Sequence, residues 1–290
     1  MNSPSTGERA GVVRALVEGN SLRAAARMTG TSINTVTLVQ VALGRAADDY
    51  QGRVLRGLPC KRIQCDEIWA FFYAKRTHLP KVKKAPEGAG DVWTWVAICQ
   101  DTKIVPTWHI DGRTPQDARL FMADLALRIA SRPQITTDGL PQYVQAIFAA
   151  FGKEVDFAQV IKVYANQDSG RYSPAVCVGA HAQTMIGSPD PLWVSTSYVE
   201  RQNLTMRMGM RRLTRLTNAF SKKVANLEAA VGLYYMHYNF GRVHQTIKKT
   251  PAMAAGVGDH RWTAEEIATL LDDPKYAAVF RDAKVGAKVA

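Results

Sequence analysis

The stretch CKRIQCDEIWAFFY, residues 60–73, decides how this chain folds. Its side chains alternate in character, and Ile63, Ile68, Trp69, Phe71 and Phe72 supply the β-branched and aromatic bulk of a strand. Asp66 falls inside this run, where a carboxylate is costly unless it is paired or binds a metal.

Working outward, a charged stretch rich in Pro and Gly runs to Gly90. Residues 91–99 and 103–110 then predict two further strands, joined by a turn at Gln100-Asp101-Thr102. Thr114 caps a helix through Ala118, Phe121, Leu125 and Ile129. Residues 134–137 predict a short strand ending on Asp138-Gly139, and Pro141 opens a helix to about Phe151. Residues 160–164 predict one more strand. Three antiparallel strands followed by alternating helix and strand imply an α/β sheet covered by helices, the order of the ribonuclease-H-like fold.

Two acids stand out by position. Asp66 lies within the first strand and Asp138 at the end of a later one, where sites in such sheets gather. On adjacent strands they would share a divalent cation. The third candidate is Glu200, which opens a helical stretch through Leu204, Met208 and Met210. Arg207 and Arg211 follow seven and eleven residues later, spacings that return nearly to the same face at about 100° per residue. A bend at Gly209 is expected. Glu67 is the alternative to Asp66 for the cation-binding role, but alternation puts it on the opposite face of the strand; Asp156, Asp168 and Asp190 read as turn residues.

Carboxylates in this number suit one chemistry. Phosphodiester attack by water or a 3′-hydroxyl needs a deprotonated nucleophile and a stabilised leaving oxygen, which two Mg²⁺ ions roughly 4 Å apart supply. Hard cations prefer such oxygen ligands to His or Cys.

The charge points to a polyanion. Net charge is +12 with a pI near 9.6, a balance that also fits a basic enzyme with no such partner. From Arg201 to Thr250 there are ten Lys/Arg against one acid, Glu228. From Phe71 to Gly90 there are five against one, in a stretch that reads equally as a solvated hairpin loop. The four cysteines, Cys60, Cys65, Cys99 and Cys177, lack zinc-site spacing and read as buried thiols. No run approaches the roughly 20 apolar residues of a membrane span, and the opening MNSPSTGERAG has no apolar signal core, so a cytoplasmic protein is expected.

Residues 8–18, 22–28 and from 33 to about 43 predict three short helices, with Ser21 capping the second and Thr31 or Ser32 the third. Gly30 lies in the turn between them. That is a helix-turn-helix pattern, although a plain helical bundle has the same periodicity. In the DNA-binding reading, Ser32, Asn34 and Thr35 face the major groove. Residues from Gly44 to Leu58 read as a connecting segment.

Four runs together resemble the transposases of the insertion-sequence-one type, within the aspartate–aspartate–glutamate group of the retroviral integrase superfamily. They are CDEIWAF (65–71), GDVWTWVAI (90–98), TTDG (136–139) and YVERQN (198–203). YNFGRVHQT (238–246) and TPAMAAG (250–256) are similar to the closing segment of integrase-core transposases. The resemblance spans about residues 60–257. It implies a ribonuclease-H-like core using Mg²⁺ or Mn²⁺, with Asp66, Asp138 and Glu200 as catalytic metal ligands and Arg207 on DNA near the cut. Asp138 and Glu200 are 62 positions apart, wider than in integrases, which implies an insertion after Val160. The N-terminal zinc finger often seen in this group is not recognisable here.

The organisation expected is a helix-turn-helix DNA-binding domain over 1–50, a linker over 51–60, the catalytic core over 61–257 and a helical tail over 258–290. Arg211, Arg212, Arg215, Arg242 and His244 are the further DNA-contact candidates; a helix end with Tyr234 and Tyr235 packed in the core is the other reading of the last two. The expected activity is metal-dependent cleavage of the ends of a mobile element and transfer to target DNA, by a prokaryotic homo-oligomer with two ions per site. The partners are the terminal inverted repeats and target duplex, and the protein is nucleoid-associated when bound. A catalytically inactive DNA-binding regulator, or a nuclease without joining activity, is the competing reading.

Overall fold

The computed structural model describes residues 4–165, 176–214, 217–274 and 276. It is a mixed α/β protein whose chain divides into two compact units. One comprises residues 57–68 and 94–202, the other 1–56, 69–93 and 203–290.

The first of these units carries most of a sheet built from β1 (Arg62–Phe72), β2 (Gly90–Cys99), β3 (Trp108–Asp111), β4 (Gln134–Asp138), β5 (Asp156–Tyr164) and β6 (Cys177–Ile186). Among the described residues the order is β3-β2-β1-β4-β5-β6. β4 pairs parallel to both β1 and β5, and β6 runs antiparallel to β5. Ile63, Cys65, Ile135, Phe157 and Ala158 are buried, as expected for central strands shielded on both faces. Helix α4 (Pro115–Ala126) starts at a capping box formed by Thr114 and Asp117, with proline in its first turn. It buries Ala118, Phe121, Met122 and Leu125, and α5 (Gln142–Phe151) buries Tyr143, Ala146 and Ile147. Trp95 on β2 joins the two, its ring centre 5.9 Å from Phe121 and 5.4 Å from Tyr143.

Three strand expectations change. Residues 103–107 do not form regular strand: Pro106 has no amide to donate, although Cys99 N still donates to Ile104 O at 2.9 Å. β5 starts at Asp156 and not at Val160, so Asp156 is a strand residue. Arg132 Nη2 donates to its carboxylate at 2.9 Å and Ser188 N at 2.8 Å. The wide gap between Asp138 and Glu200 contains a strand the sequence reading lacks, β6, which folds back along β5 as far as Tyr164 opposite Cys177.

In the second unit, α1 (Thr6–Val17), α2 (Leu22–Thr29) and α3 (Ile33–Val54) follow in turn. Ser5, Ser21 and Ser32 each accept an amide of the first turn that follows, and Gly30 closes α2 in the left-handed conformation. α3 does not stop near Leu43. It continues to Val54, because Gly44 is a packing position and not a breaker. A Cβ on Gly44 would lie 1.9 Å from Ala229 O, and one on Gly232 would lie 2.6 Å from Gly44 O. Both contacts are with α7, which is numbered after α6 (Ser197–Gly209) and covers Val224–Met236. Short helices α8 (Pro251–Ala254) and α9 (Ala264–Thr269) follow. Among the described residues no helix is long and apolar enough to cross a membrane.

Candidate metal centre

The register of β1 on β4 pairs Cys65 with Thr137. The next residue on each strand is Asp66, midway along β1, and Asp138, the last residue of β4, so parallel pairing sets two carboxylates side by side where β4 ends. A third acid joins them. Ligand oxygens of Asp66, Glu67 and Asp138 all lie within 4.8 Å of one another, a group that can hold a metal ion.

Glu67 corrects the expectation from alternation. Period two fixes the direction of a Cβ and leaves open where the carboxylate at the end of a longer glutamate side chain lies. Arg113, just before α4, holds it there: Nε and Nη2 donate to Glu67 Oε2 at 3.1 and 2.9 Å. The same guanidinium lies 3.9 Å from Asp138 Oδ2. The Glu67 side chain is 1% exposed, and its Oε1 is buried with no hydrogen-bond donor on it. The Tyr143 hydroxyl stands beside this carboxylate without closing a hydrogen bond, and burial together with the Glu67 charge pushes its pKa well above the usual value.

Burial, followed by repulsion from Asp138, raises Asp66 to about 6 and Glu67 to about 7. Clustered buried carboxylates with raised pKa are short of positive charge, which is the condition a divalent cation relieves.

Glu200 lies outside the 4.8 Å group, in the first turn of α6. It nevertheless acts on Asp66, whose ionisation its charge opposes. Thr196 Oγ1 donates to Glu200 Oε1 at 2.5 Å and Lys162 Nζ donates to the same oxygen at 2.6 Å. Burial disfavours the charged Lys162, but the Glu200 hydrogen bond together with the nearby charges, that of Glu200 foremost, outweighs it, so the lysine pKa rises.

The remaining candidates are spread through the other unit. Ser32 and Asn34 are exposed at the start of α3, and the Ser32 hydroxyl caps the helix by accepting Thr35 N at 3.1 Å. Arg207 donates to Trp69 O and Leu213 O, both at 3.3 Å. α6 ends at Gly209, so Arg211 sits in a following turn and does not continue a helical stripe from Glu200. It is exposed. Arg212 faces inward, donating to Gln40 Oε1 at 2.6 Å and Ser221 Oγ at 2.9 Å, and burial lowers its pKa to about 10. That makes it a strut within the fold. Arg215 and Asp168 lie outside the described residues. Arg242 is exposed, and His244 bridges to Lys249. Tyr234 and Tyr235 are buried. Cys60, Cys65 and Cys99 are buried free thiols, whereas Cys177 is exposed.

Sequence reasoning passed over Arg113 and Lys162. A lysine inside a strand was an available signal for the second; nothing local marks the first. His109, Asp111 and Asp117 form another close group, but Asp117 is taken up as the capping partner of Thr114.

No protein-family model and no curated protein matches this chain.

Proposed function

We propose that this protein is a transposase of the aspartate–aspartate–glutamate type, which cuts a phosphodiester at the ends of a mobile element and joins the 3′-hydroxyl to target DNA. The observation carrying this reading is the convergence of Asp66, Glu67 and Asp138, with Glu200 near enough to oppose ionisation of Asp66. A ribonuclease-H-like core is supported by the order β3-β2-β1-β4-β5, with β6 added at the β5 edge. A helix-turn-helix reading of α1–α3 is supported by the serine caps and the left-handed Gly30 turn.

The donor set fits Mg²⁺ or Mn²⁺: hard carboxylate oxygens, one of them buried and unpartnered. Asp66 and Asp138 would hold the shared ion, with Glu200 completing a second position. Bound ions supply activation of the attacking oxygen and stabilisation of the leaving one. The chain's own contribution is positional. Parallel pairing of β1 with β4 aligns the two aspartates. Arg113 fixes Glu67 and brings positive charge to Asp138. Lys162 and Thr196 orient the Glu200 carboxylate by both donating to its Oε1.

The cytoplasmic, nucleoid-bound homo-oligomer expected from the sequence belongs to this reading, because two element ends must be held together. The test uses labelled duplex bearing the inverted repeats that flank the gene, with a scrambled duplex as control. Joined product that forms on the repeats with Mg²⁺ and vanishes with chelator supports the reading. Repeat binding with no joining in Mg²⁺ or Mn²⁺ favours the regulator.

A further inference from the structure

We infer that Gln64 is a positioning residue that fastens the glutamate-bearing helix to the aspartate-bearing strand. This rests on the functional reading above. Gln64 is fully buried on β1, two residues before Asp66, so both lie on the same face of the strand. Its Oε1 accepts Tyr198 N at 2.8 Å and Val199 N at 3.0 Å. Those amides belong to the first turn of α6, where a helix has no internal partners for its leading N–H groups.

The other leading amides of α6 are satisfied locally. Ser197 N donates to Ser195 Oγ at 3.1 Å, and Glu200 N to Thr196 O at 3.0 Å. Residues 198 and 199 thus have a remote acceptor where helices ordinarily use a nearby capping side chain. Glu200 is the next residue. One oxygen of Gln64 therefore fixes where the Glu200 backbone sits along the Asp66 face. Its amide nitrogen, Nε2, is buried with no hydrogen-bond partner, so the side chain is held in place by what its oxygen does.

Reach and acceptor chemistry are separable by substitution. Gln64→Asn keeps the amide one methylene short of the helix. Gln64→Glu keeps the reach and offers a carboxylate, which a helix N-terminus favours. Hydrogen exchange reads the clamp, and Mg²⁺-dependent joining reads its purpose. The expected result is fast exchange at 198 and 199 in Gln64→Asn with β4 amides unchanged. Joining should then fall about 100-fold in kcat, the scale of an ångström-size misplacement, with DNA affinity unchanged. Gln64→Glu should restore protection and most of the rate. Unchanged protection in Gln64→Asn overturns the clamp. Lost protection with unchanged joining overturns the positioning role while the transposase reading stands. A wild-type protein that never joins DNA removes that reading, and the positioning role with it.

Discussion

Arg113 places two hydrogen bonds, 3.1 and 2.9 Å, on one oxygen of Glu67 and leaves the other oxygen buried without a donor. The pair is thus half-satisfied: one oxygen is neutralised by the arginine and the other has no donor, in a carboxylate grouped with those of Asp66 and Asp138. Breaking it exposes how much strain the cluster carries.

Arg113→Ala should destabilise the protein by about 1–3 kcal/mol, the penalty for a buried group left without its partner. Glu67→Gln added to it should recover most of that loss, because the uncompensated charge is gone. Urea melts of the two single variants and the double variant measure the coupling. Additive losses would show that Arg113 acts elsewhere.

The pH dependence follows from the raised acids. Asp66 titrates at about 6 and Glu67 at about 7 in the folded protein, against about 4 when unfolded. Folding therefore favours their protonated forms. Their contribution to stability is present below about pH 4 and is lost as pH rises through 6 to 7. Melting temperatures of wild type minus Glu67→Gln should fall across that window in metal-free buffer. Divalent cation should bind more weakly as pH drops below about 7, since ligands must shed protons. A flat difference curve contradicts the first statement, and cation affinity that does not change with pH contradicts the second.

Gly44 and Gly52 lie on the same helix and should respond oppositely to alanine. At Gly44 the new methyl meets Ala229 O at 1.9 Å, so Gly44→Ala should cost about 3 kcal/mol by overpacking. At Gly52 nothing lies within 4 Å, so Gly52→Ala should stabilise by about 0.5–1 kcal/mol through helix propensity. Denaturant midpoints decide it.

Two neighbouring arginines should separate in the same way. Arg211 is exposed, and its loss should lower the slope of log affinity against log salt by about 0.9 without changing stability. Arg212 bonds Gln40 and Ser221 internally, so Arg212→Met should lower stability before it touches the salt slope. Equal salt slopes for wild type and Arg211→Ala would remove Arg211 from the DNA contacts.

Much of the fold is legible in the sequence because its cues are local. Apolar runs bounded by turns mark β1, β2 and β4, and serine or threonine caps mark α1–α4. The adjacency of Asp66 and Asp138 is legible too, because a carboxylate inside a strand calls for compensation. What escapes is tertiary. Gly44 reads as a helix stop, yet it is the point of closest approach to α7. Alternation assigns Glu67 a Cβ direction and leaves its carboxylate undetermined. The partners of Glu67 and Glu200, Arg113 and Lys162, lie 46 and 38 positions away, beyond any local pattern. β6 escapes because its residues are mostly exposed and many are small, Gly179, Ala180 and Ala182 among them, so it lacks the β-branched and aromatic bulk that marks β1.

The most direct measurement is joining of labelled repeat-bearing DNA in Mg²⁺ by wild type, Asp66→Asn and Asp138→Asn at equal DNA occupancy. The account predicts joined product from wild type and none from either variant, with binding retained by all three. Product from Asp138→Asn at the wild-type rate would contradict it, and would remove the paired aspartates of β1 and β4 as the seat of the chemistry.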